Sequence, residues 1–326
     1  MTTMGKYRHL TRCTTAAGHF VVLAIDHRAN LLDALNQHAP EPLSDADFMA
    51  FKVDVLRTLC PISSAVLTDP NYGHAPGVAQ RVITGQMGLL SPLEVTDYDA
   101  HPSRRDVRFI PGWSVRQIKL AGGDGVKLLL SYHPDAPNAP EQRTAVRRIV
   151  DECTTYDIPF YLEPIPYSLD PNNALTNDER LQVSVDTVRE FSAMGVDVLK
   201  LPFPLDVKLS DDESEWREAC DAVNAVCTVP WTLLSAGVDY ATFLRQARVA
   251  CEAGASGVIV GRAVWTEAVR LHAGERLEFL ETVGVRRMRE LADACAGSAT
   301  PWFERVSAPV VKSDWFSAYG GDLDLR

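Results

Sequence analysis

The segment 196–203, VDVLKLPF, has the composition of a buried β-strand but contains one lysine. Apolar side chains fill nearly every position of the segment, which is typical of a strand covered on both faces in a parallel sheet. Lys200 is unusual in this setting, because a buried ammonium group needs a partner or must give up its proton. The alternative is a strand-end lysine whose stem is buried and whose amine lies in water.

Seven further apolar runs have the same character, and longer segments of helical pattern separate them. They are FVVLAID (20–26), SAVLTDP (64–70), GLLSPLE (88–94), GVKLLLSY (125–132), PFYLEPI (159–165), WTLLSAG (231–237) and GVIVGRAVW (257–265). Eight is the number of parallel strands that, when connected by helices, closes into a barrel. The sequence therefore predicts an α/β fold, a (β/α)8 TIM barrel.

Two of the intervening segments carry clear helix starts. Ser44 is followed three residues later by Asp47, and Ser210 is followed by Glu213. A hydroxyl that accepts a backbone N–H bond, with an acidic residue in the first turn, favours a helix start. We therefore predict that helices begin after Ser44 and Ser210.

The length and composition of the chain favour one large domain. A chain of 326 residues with 46% apolar content can bury a large core, and no low-complexity linker divides it. We predict a single domain over residues 1–326, with the barrel at about 15–297 and a C-terminal extension at 298–326. Two Trp-Phe pairs, at 302–303 and 315–316, indicate that this extension packs against the barrel.

Charge and cysteine content exclude several classes of protein. The chain has 43 acidic and 32 basic residues, a net charge of -11, and no basic stripe, so we expect no nucleic-acid partner and no anionic membrane surface. The seven cysteines are scattered and form no CxxC pair, which favours a reducing cytoplasm over a disulfide framework or a zinc site. We also expect no export signal and no membrane span.

Polar side chains gather where the predicted strands end. In a barrel of this type the active site lies at the carboxyl ends of the strands. So many charged groups at one end of eight apolar runs would be costly without a chemical task. The residues are Asp26, His27, Arg28, Asp69, Glu94, Lys127, Glu163, Lys200, Ser235 and Arg262.

Seven motifs, in their order and spacing, carry a family resemblance. They are LAIDHR, LTDPNYG, GVKLLLSYHPD, YLEPI, VLKLPFP, LLSAGVDY and GASGVIVGRAVW. Over roughly residues 15–300 the chain resembles the class I aldolases of the tagatose-1,6-bisphosphate aldolase family, which includes sulfofructose-phosphate aldolase. The resemblance implies a (β/α)8 barrel and a Schiff-base mechanism without cofactor or metal. It implies that the lysine of strand six, Lys200, is the nucleophile.

Physical reasoning assigns roles to the neighbours of Lys200. An amine attacks a ketone only when unprotonated, and a second cation, Lys127, favours that form. Glu163 is our candidate for the base that takes the C4 hydroxyl proton, the alternative being a salt-bridge partner of Lys127. We expect Asp26 to orient Lys200 or the imine, unless it caps the following helix.

The loops after strands seven and eight form the predicted phosphate site. Small residues there precede helices, where free backbone N–H groups favour an anion. We assign Ser235, Gly237, Gly261 and Arg262 to phosphate binding. The alternative is that the glycines only make tight βα turns.

Arg28 is the candidate for a second anion at the far end of the substrate. Strands one and eight become neighbours when the barrel closes, so Arg28 and Arg262 would repel each other without an anion between them. The alternative is that Arg28 pairs with Asp26 or Glu94 and never meets the substrate.

Two positions depart from the family pattern, and they leave the ketose and the aldehyde product open. His27 stands where relatives often carry glutamine or glutamate, and Pro92 interrupts the end of strand three. An alternative function is a metal-dependent lyase or isomerase acting on sugar phosphates, with His27, His133 and either Asp69 or Glu94 as ligands. A second alternative is a sugar-phosphate sensor without turnover. The oligomeric state is also open, and a homo-oligomer is one option.

Overall fold

A closed barrel of eight parallel strands forms the centre of the molecule. The computed structural model describes residues 2–95 and 101–319. Each strand pairs with the next in chain order, and the eighth pairs with the first, so the predicted TIM barrel is confirmed. The strands are β1 (Phe20–Ile25), β2 (Ala65–Thr68), β3 (Gly88–Pro92), β4 (Gly125–Tyr132), β5 (Phe160–Pro166), β6 (Val198–Leu201), β7 (Trp231–Leu233) and β8 (Gly257–Val260).

Helices connect the strands and cover the outside of the barrel. Helix α1 precedes the barrel, and its Lys6 and His9 contact Asp197 and Asp124, which immediately precede β6 and β4. This helix therefore covers the amino ends of the strands. The helices are α1 (Met4–Arg12), α2 (Ala29–Asn36), α3 (Asp45–Leu59), α4 (Ala75–Ala79), α5 (Val115–Leu120), α6 (Ala139–Thr155), α7 (Asn177–Ser192), α8 (Glu213–Val226), α9 (Tyr240–Glu252), α10 (Arg262–Trp265), α11 (Ala273–Phe279) and α12 (Val285–Ser298).

One of the two predicted helix starts is confirmed and the other is wrong. Ser44 caps α3 by accepting from the backbone N–H of Asp47, whose carboxylate accepts in return. Helix α8 begins instead after Asp212, whose side chain accepts from the N–H of Ser214. The hydroxyl of Ser210 is engaged elsewhere, because it donates to Glu215.

Strict alternation along the strands separates two cores. In β1, Val21, Leu23 and Ile25 belong to the core between the barrel and the helices. The intervening side chains, among them Val22 and Ala24, belong to a second core inside the barrel. This alternation determines which strand-end side chains can enter the barrel.

The C-terminal extension packs only in part as predicted. Trp302 is buried, and its ring lies 4.8 Å from that of Tyr7. Its backbone N–H donates to the carbonyl of Gly18. Trp315 and Phe316 are 42% and 66% exposed. Trp302 therefore anchors the extension, whereas its neighbour Phe303 is 46% exposed. Residues 320–326 lie outside the described part of the chain.

The described residues include no helix long and apolar enough to cross a membrane. All seven cysteines are buried and have free thiols.

Candidate active site

Strand alternation carries the predicted catalytic side chains into the barrel. Each of them lies two positions beyond an inward-facing residue of its own strand. Asp26 follows β1 and Lys200 is near the end of β6, whereas Lys127 and Glu163 lie within β4 and β5. Because parallel strands are staggered around a closed barrel, these four positions reach the same level inside it, and their side chains meet. The pairs are Ala24 and Asp26, Gly125 and Lys127, Tyr161 and Glu163, and Val198 and Lys200.

Lys127 lies at the centre of the charged cluster. Its Nζ lies 2.7 Å from Glu94 Oε1, 2.9 Å from Glu163 Oε2 and 3.1 Å from Asp26 Oδ2. Burial alone would lower the pKa of Lys127, but the three carboxylates outweigh it and hold this pKa well above its usual value. Lys127 therefore remains an ammonium ion.

Lys200 contacts the same cluster through one carboxylate. Its Nζ lies 2.8 Å from Glu163 Oε2, the atom that also forms an ion pair with Lys127. Lys200 is only 5% exposed, so the interpretation of an amine that lies in water is wrong. Burial raises the pKa of Glu163, but the two lysines outweigh burial and lower it, so Glu163 is a carboxylate.

Asp26 is an ion-pair partner and not a helix cap. Helix α2 begins after Arg28 and has no side-chain cap, so the capping alternative is wrong. The carboxylate of Asp26 accepts from Lys127, whereas we expected it to act on Lys200 or the imine. Burial raises the pKa of Asp26, but the charges of Lys127 and Lys200 hold it well below its usual value.

Glu94 is a member of the cluster that the sequence analysis considered only as a metal ligand or as a partner of Arg28, and not as a catalytic residue. Burial raises its pKa despite the contact with Lys127, so it holds a proton more readily than an ordinary glutamic acid. Its Oε2 is buried and has no hydrogen-bond partner among the described residues. The alternation that begins at the inward-facing Leu90 and passes through Pro92 places Glu94 inside the barrel.

A cavity of about 210 Å³ opens above this cluster. It contains all four predicted catalytic residues, so the catalytic set is brought together as expected. Its lining consists of Ala24, Asp26, His27, Arg28, Ala29, Asn30, Glu94, Val95, Lys127, Leu129, Glu163, Lys200, Leu234, Ser235, Ala236, Ile259, Gly261 and Arg262.

The predicted phosphate residues lie along one side of the cavity, with Gly237 just outside it. Gly237 has a φ of +83°, and a Cβ there would lie 3.5 Å from the Arg262 Cζ. A Cβ on Gly261 would lie 2.6 Å from the carbonyl oxygen of Ala24, so β8 approaches β1 closely only because this residue is glycine. Both glycines therefore serve the tight βα turns that the sequence analysis gave as the alternative to phosphate binding.

The eighth apolar run is shorter as a strand than the sequence indicates. β8 ends at Val260, and Arg262 opens the four-residue helix α10. Arg262 is exposed toward the cavity. Arg28 also lines the cavity, and its Nη2 donates to the backbone carbonyl of Glu94, so it contacts Glu94 through the main chain.

The ligand set of the metal-dependent alternative does not assemble. The carboxylate of Asp69 binds Lys52, and Nδ1 of His133 accepts from the N–H of Asp135. Across residues 2–95 and 101–319, no group of three or more His, Cys, Asp or Glu side chains is arranged to hold a metal ion. His27 instead packs edge-on against Trp265 at 5.5 Å, and burial lowers the pKa of His27 to about 4.

Sequence reasoning also missed Lys52. This residue of α3 is 0% exposed and forms an ion pair with Asp69 beside the end of β1. A lysine on the apolar face of an otherwise amphipathic helix was its signal in the sequence.

Comparison with known proteins agrees with this geometry. Residues 20–267 match the family model described as DeoC/LacD family aldolase. The chain is 33% identical to tagatose 1,6-diphosphate aldolase 2 of Streptococcus mutans serotype c, with 93% of this chain and 98% of that protein covered. It is also 33% identical to tagatose 1,6-diphosphate aldolase 2 of Enterococcus faecalis, with 93% and 97% covered.

A solved structure shares the fold at lower sequence identity. It is an archaeal fructose-1,6-bisphosphate aldolase whose catalytic lysine is covalently bound to the carbinolamine intermediate of the substrate. The TM-score is 0.59 and the identity 18%, with 89% of this chain and 99% of that chain covered. On the match of the family model and of its relatives over nearly their whole length, this chain belongs to the DeoC/LacD family of aldolases and is an aldehyde-lyase.

Proposed function

We propose that this aldolase cleaves a ketose 1-phosphate through a Schiff base on Lys200. The reaction is that of a class I ketose-phosphate aldolase. The observation that supports Lys200 is the unequal environment of the two lysines: Lys127 has three carboxylate partners, whereas Lys200 has one among the described residues. Lys127 is held as an ammonium ion and has no lone pair to attack with.

The proton transfers centre on Glu163. Glu163 accepts a proton from Lys200 Nζ, the free amine attacks the C2 carbonyl of the ketose, and the same proton returns to the C2 hydroxyl, which leaves as water to give a protonated imine. Glu163 then takes the proton of the C4 hydroxyl, the C3–C4 bond breaks, and its electron pair passes into the imine to give an enamine and the aldehyde. Protonation at C3 and hydrolysis release dihydroxyacetone phosphate and restore Lys200. Asp26 and Lys127 hold Glu163 and the imine in place.

The substrate is a ketose with a phosphate on C1 and an anionic group on C6. Arg262 and Ser235, with the backbone of Gly237 and Gly261, bind the C1 phosphate, and Arg28 binds the C6 group. Two relatives bear the name tagatose 1,6-diphosphate aldolase, which supports a phosphate there, while the planar guanidinium suits a sulfonate equally. The seven free cysteines support a cytoplasmic location.

A substrate panel tests this function. Tagatose 1,6-bisphosphate, 6-deoxy-6-sulfofructose 1-phosphate and fructose 1-phosphate are each assayed for triose-phosphate release, with and without EDTA. We expect turnover of at least one doubly anionic ketose and no effect of the chelator. Loss of activity with EDTA favours the metal-dependent lyase, and binding of these esters without cleavage favours the sensor.

A further inference from the structure

Lys52 is a completely buried lysine that does not line the active-site cavity. Its Nζ donates to the carbonyl of Ile25 at 3.1 Å, to the carbonyl of His27 at 2.6 Å, and to the carboxylate of Asp69. An ammonium group has three N–H bonds, so all of its donors are used. The side chain thus makes its polar contacts with the ends of β1 and β2 and not with the cavity.

The two carbonyls that Lys52 binds lie on either side of Asp26. The ladder between β1 and β2 ends at the pair Ile25 and Thr68, so the peptide units beyond Ile25 are no longer held by that strand pairing. Beyond this pair, the ammonium group of Lys52 binds the carbonyls of the chain instead. From the other side, the indole N–H of Trp265 donates to the carbonyl of Ala24 at 3.1 Å. The backbone that carries Asp26 is therefore held from two directions.

Asp69 connects this contact to the second strand. Its Oδ1 accepts from the N–H groups of Asn71 at 3.0 Å and Tyr72 at 2.8 Å, and its Oδ2 accepts from Lys52. The side chains of Lys52 and Asp69 are both 0% exposed. A buried ion pair often stabilises a fold no better than apolar side chains of the same size. The value of this pair therefore lies in the geometry that it imposes.

We propose that Lys52, supported by Asp69, is a positioning residue that fixes the carbonyl groups of Ile25 and His27, the residues on either side of Asp26, so that the Asp26 carboxylate meets Lys127. The inference rests on the proposed function, because it assumes that the Asp26–Lys127 contact serves the reaction. Lys52 acts through Asp26 and has no contact with the substrate. A displacement of Asp26 should change the chemical step and leave the phosphate-binding residues that follow β7 and β8 undisturbed.

The test compares Lys52→Met with Lys6→Met. Lys6 is a matched control, since it is also a buried lysine in an ion pair, at 2.8 Å from Asp197, but at the opposite end of the barrel. For Lys52→Met we expect kcat to fall by ~10- to 100-fold, as displacements near 1 Å can produce, with KM within about threefold. For Lys6→Met, per folded molecule, we expect kcat and KM near the wild-type values.

A double-mutant cycle with Asp26→Asn separates positioning from general damage. If Lys52 acts through Asp26, Lys52→Met should cost less than about twofold in kcat in the Asp26→Asn background, whereas independent effects would multiply. The full loss in that background, or a Lys52→Met variant as active as Lys6→Met, overturns the proposal. Should Lys52→Met not fold, Asp69→Asn, which keeps the size of the side chain, must show the same selective fall in kcat and the same non-additivity.

Failure of the proposed function has a separate signature. Reductive trapping of the wild-type enzyme with dihydroxyacetone phosphate must label Lys200, whatever the Lys52 variants do. Absence of that label refutes the reaction scheme. A wild-type label together with an unaffected Lys52→Met variant refutes the positioning role alone.

Discussion

The two ends of the barrel both bury lysines beside carboxylates, but in different proportions. At the amino end, Lys6 pairs with Asp197 at 2.8 Å, and Asp197 also accepts from the N–H of Phe160 at 2.8 Å. At the carboxyl end, Lys127 faces three carboxylates, and Glu163 is shared between Lys127 and Lys200. The first is a closed pair, and the second is a cluster with more acceptors than cations.

This difference separates structural charges from chemical ones. A one-to-one pair that also binds the backbone ties two loops together. A shared carboxylate can transfer a proton from one partner to another, and a carboxyl such as Glu94, whose pKa burial raises, can hold one.

The largest expected contrast is between Lys200→Met and Lys6→Met. Without Lys200 no imine can form, and kcat should fall by ~10⁴- to 10⁶-fold, as for loss of other nucleophiles. Stability should change little, because Glu163 keeps its contact with Lys127. Lys6→Met leaves Asp197 buried beside one N–H donor and should lower the free energy of unfolding by about 3 kcal/mol with activity retained. Urea unfolding and steady-state assays measure both, and a comparable loss of activity in the two variants contradicts the contrast.

Glu163→Gln should separate imine formation from carbon–carbon cleavage. Glutamine keeps the size of the side chain but cannot accept the C4 hydroxyl proton, so kcat should fall by about 10²- to 10⁴-fold. Borohydride trapping should still label the protein. Near-normal turnover would reduce Glu163 to a salt-bridge partner of the two lysines.

Arg28→Ala should discriminate between substrates. Loss of a charge-assisted contact worth about 1.5–3 kcal/mol should lower kcat/KM by ~10- to 100-fold for ketoses with an anionic C6 group. Fructose 1-phosphate, which lacks that group, should be affected little. Arg262→Ala is the comparison variant, and it should lower kcat/KM for both kinds of substrate. Equal losses with Arg28→Ala would make Arg28 a structural residue that supports the Glu94 carbonyl.

The smallest effect concerns the stability of the protein in mild acid. Burial lowers the pKa of His27 to about 4, below the ordinary value of 6.5 in the unfolded chain. Between these values the unfolded chain binds more protons, so stability falls as the pH drops from 6.5 toward 4. From pH 7.5 to pH 5 this group should cost about 2 kcal/mol.

The His27→Gln variant should lack this part of the pH dependence. Urea unfolding at the two pH values, with His38→Gln at an exposed position as the control, measures the difference. If His27→Gln and the control lose stability in parallel with the wild type, His27 is not the responsible group.

Periodicity and spacing were sufficient to predict the barrel. Continuous apolar runs separated by helical segments require a sheet covered on both faces, and polar residues such as Lys200 mark the strand ends. The catalytic set followed because parallel strands end at one face. In the run 257–265, however, the apolar pattern continued past Val260 into α10, because a buried helix beside a strand has the same composition.

Side-chain partners could not be predicted in the same way. The partner of Asp26 is Lys127 and not Lys200, which depends on distances across the barrel of a few ångström. Lys52 lies on a helix 17 residues before Asp69, and no motif connects the two positions. Such tertiary contacts depend on the closed geometry of the barrel and not on local propensity.

Covalent trapping identifies which lysine forms the Schiff base. The enzyme is incubated with dihydroxyacetone phosphate, reduced with borohydride and digested, and the modified peptide is identified by mass spectrometry. We predict inactivation and a reduced triose-phosphate adduct on Lys200, within the peptide that contains VLKLPFP. An adduct on Lys127 would reverse the roles of the two lysines, and the absence of any adduct under conditions of active turnover would contradict the Schiff-base mechanism.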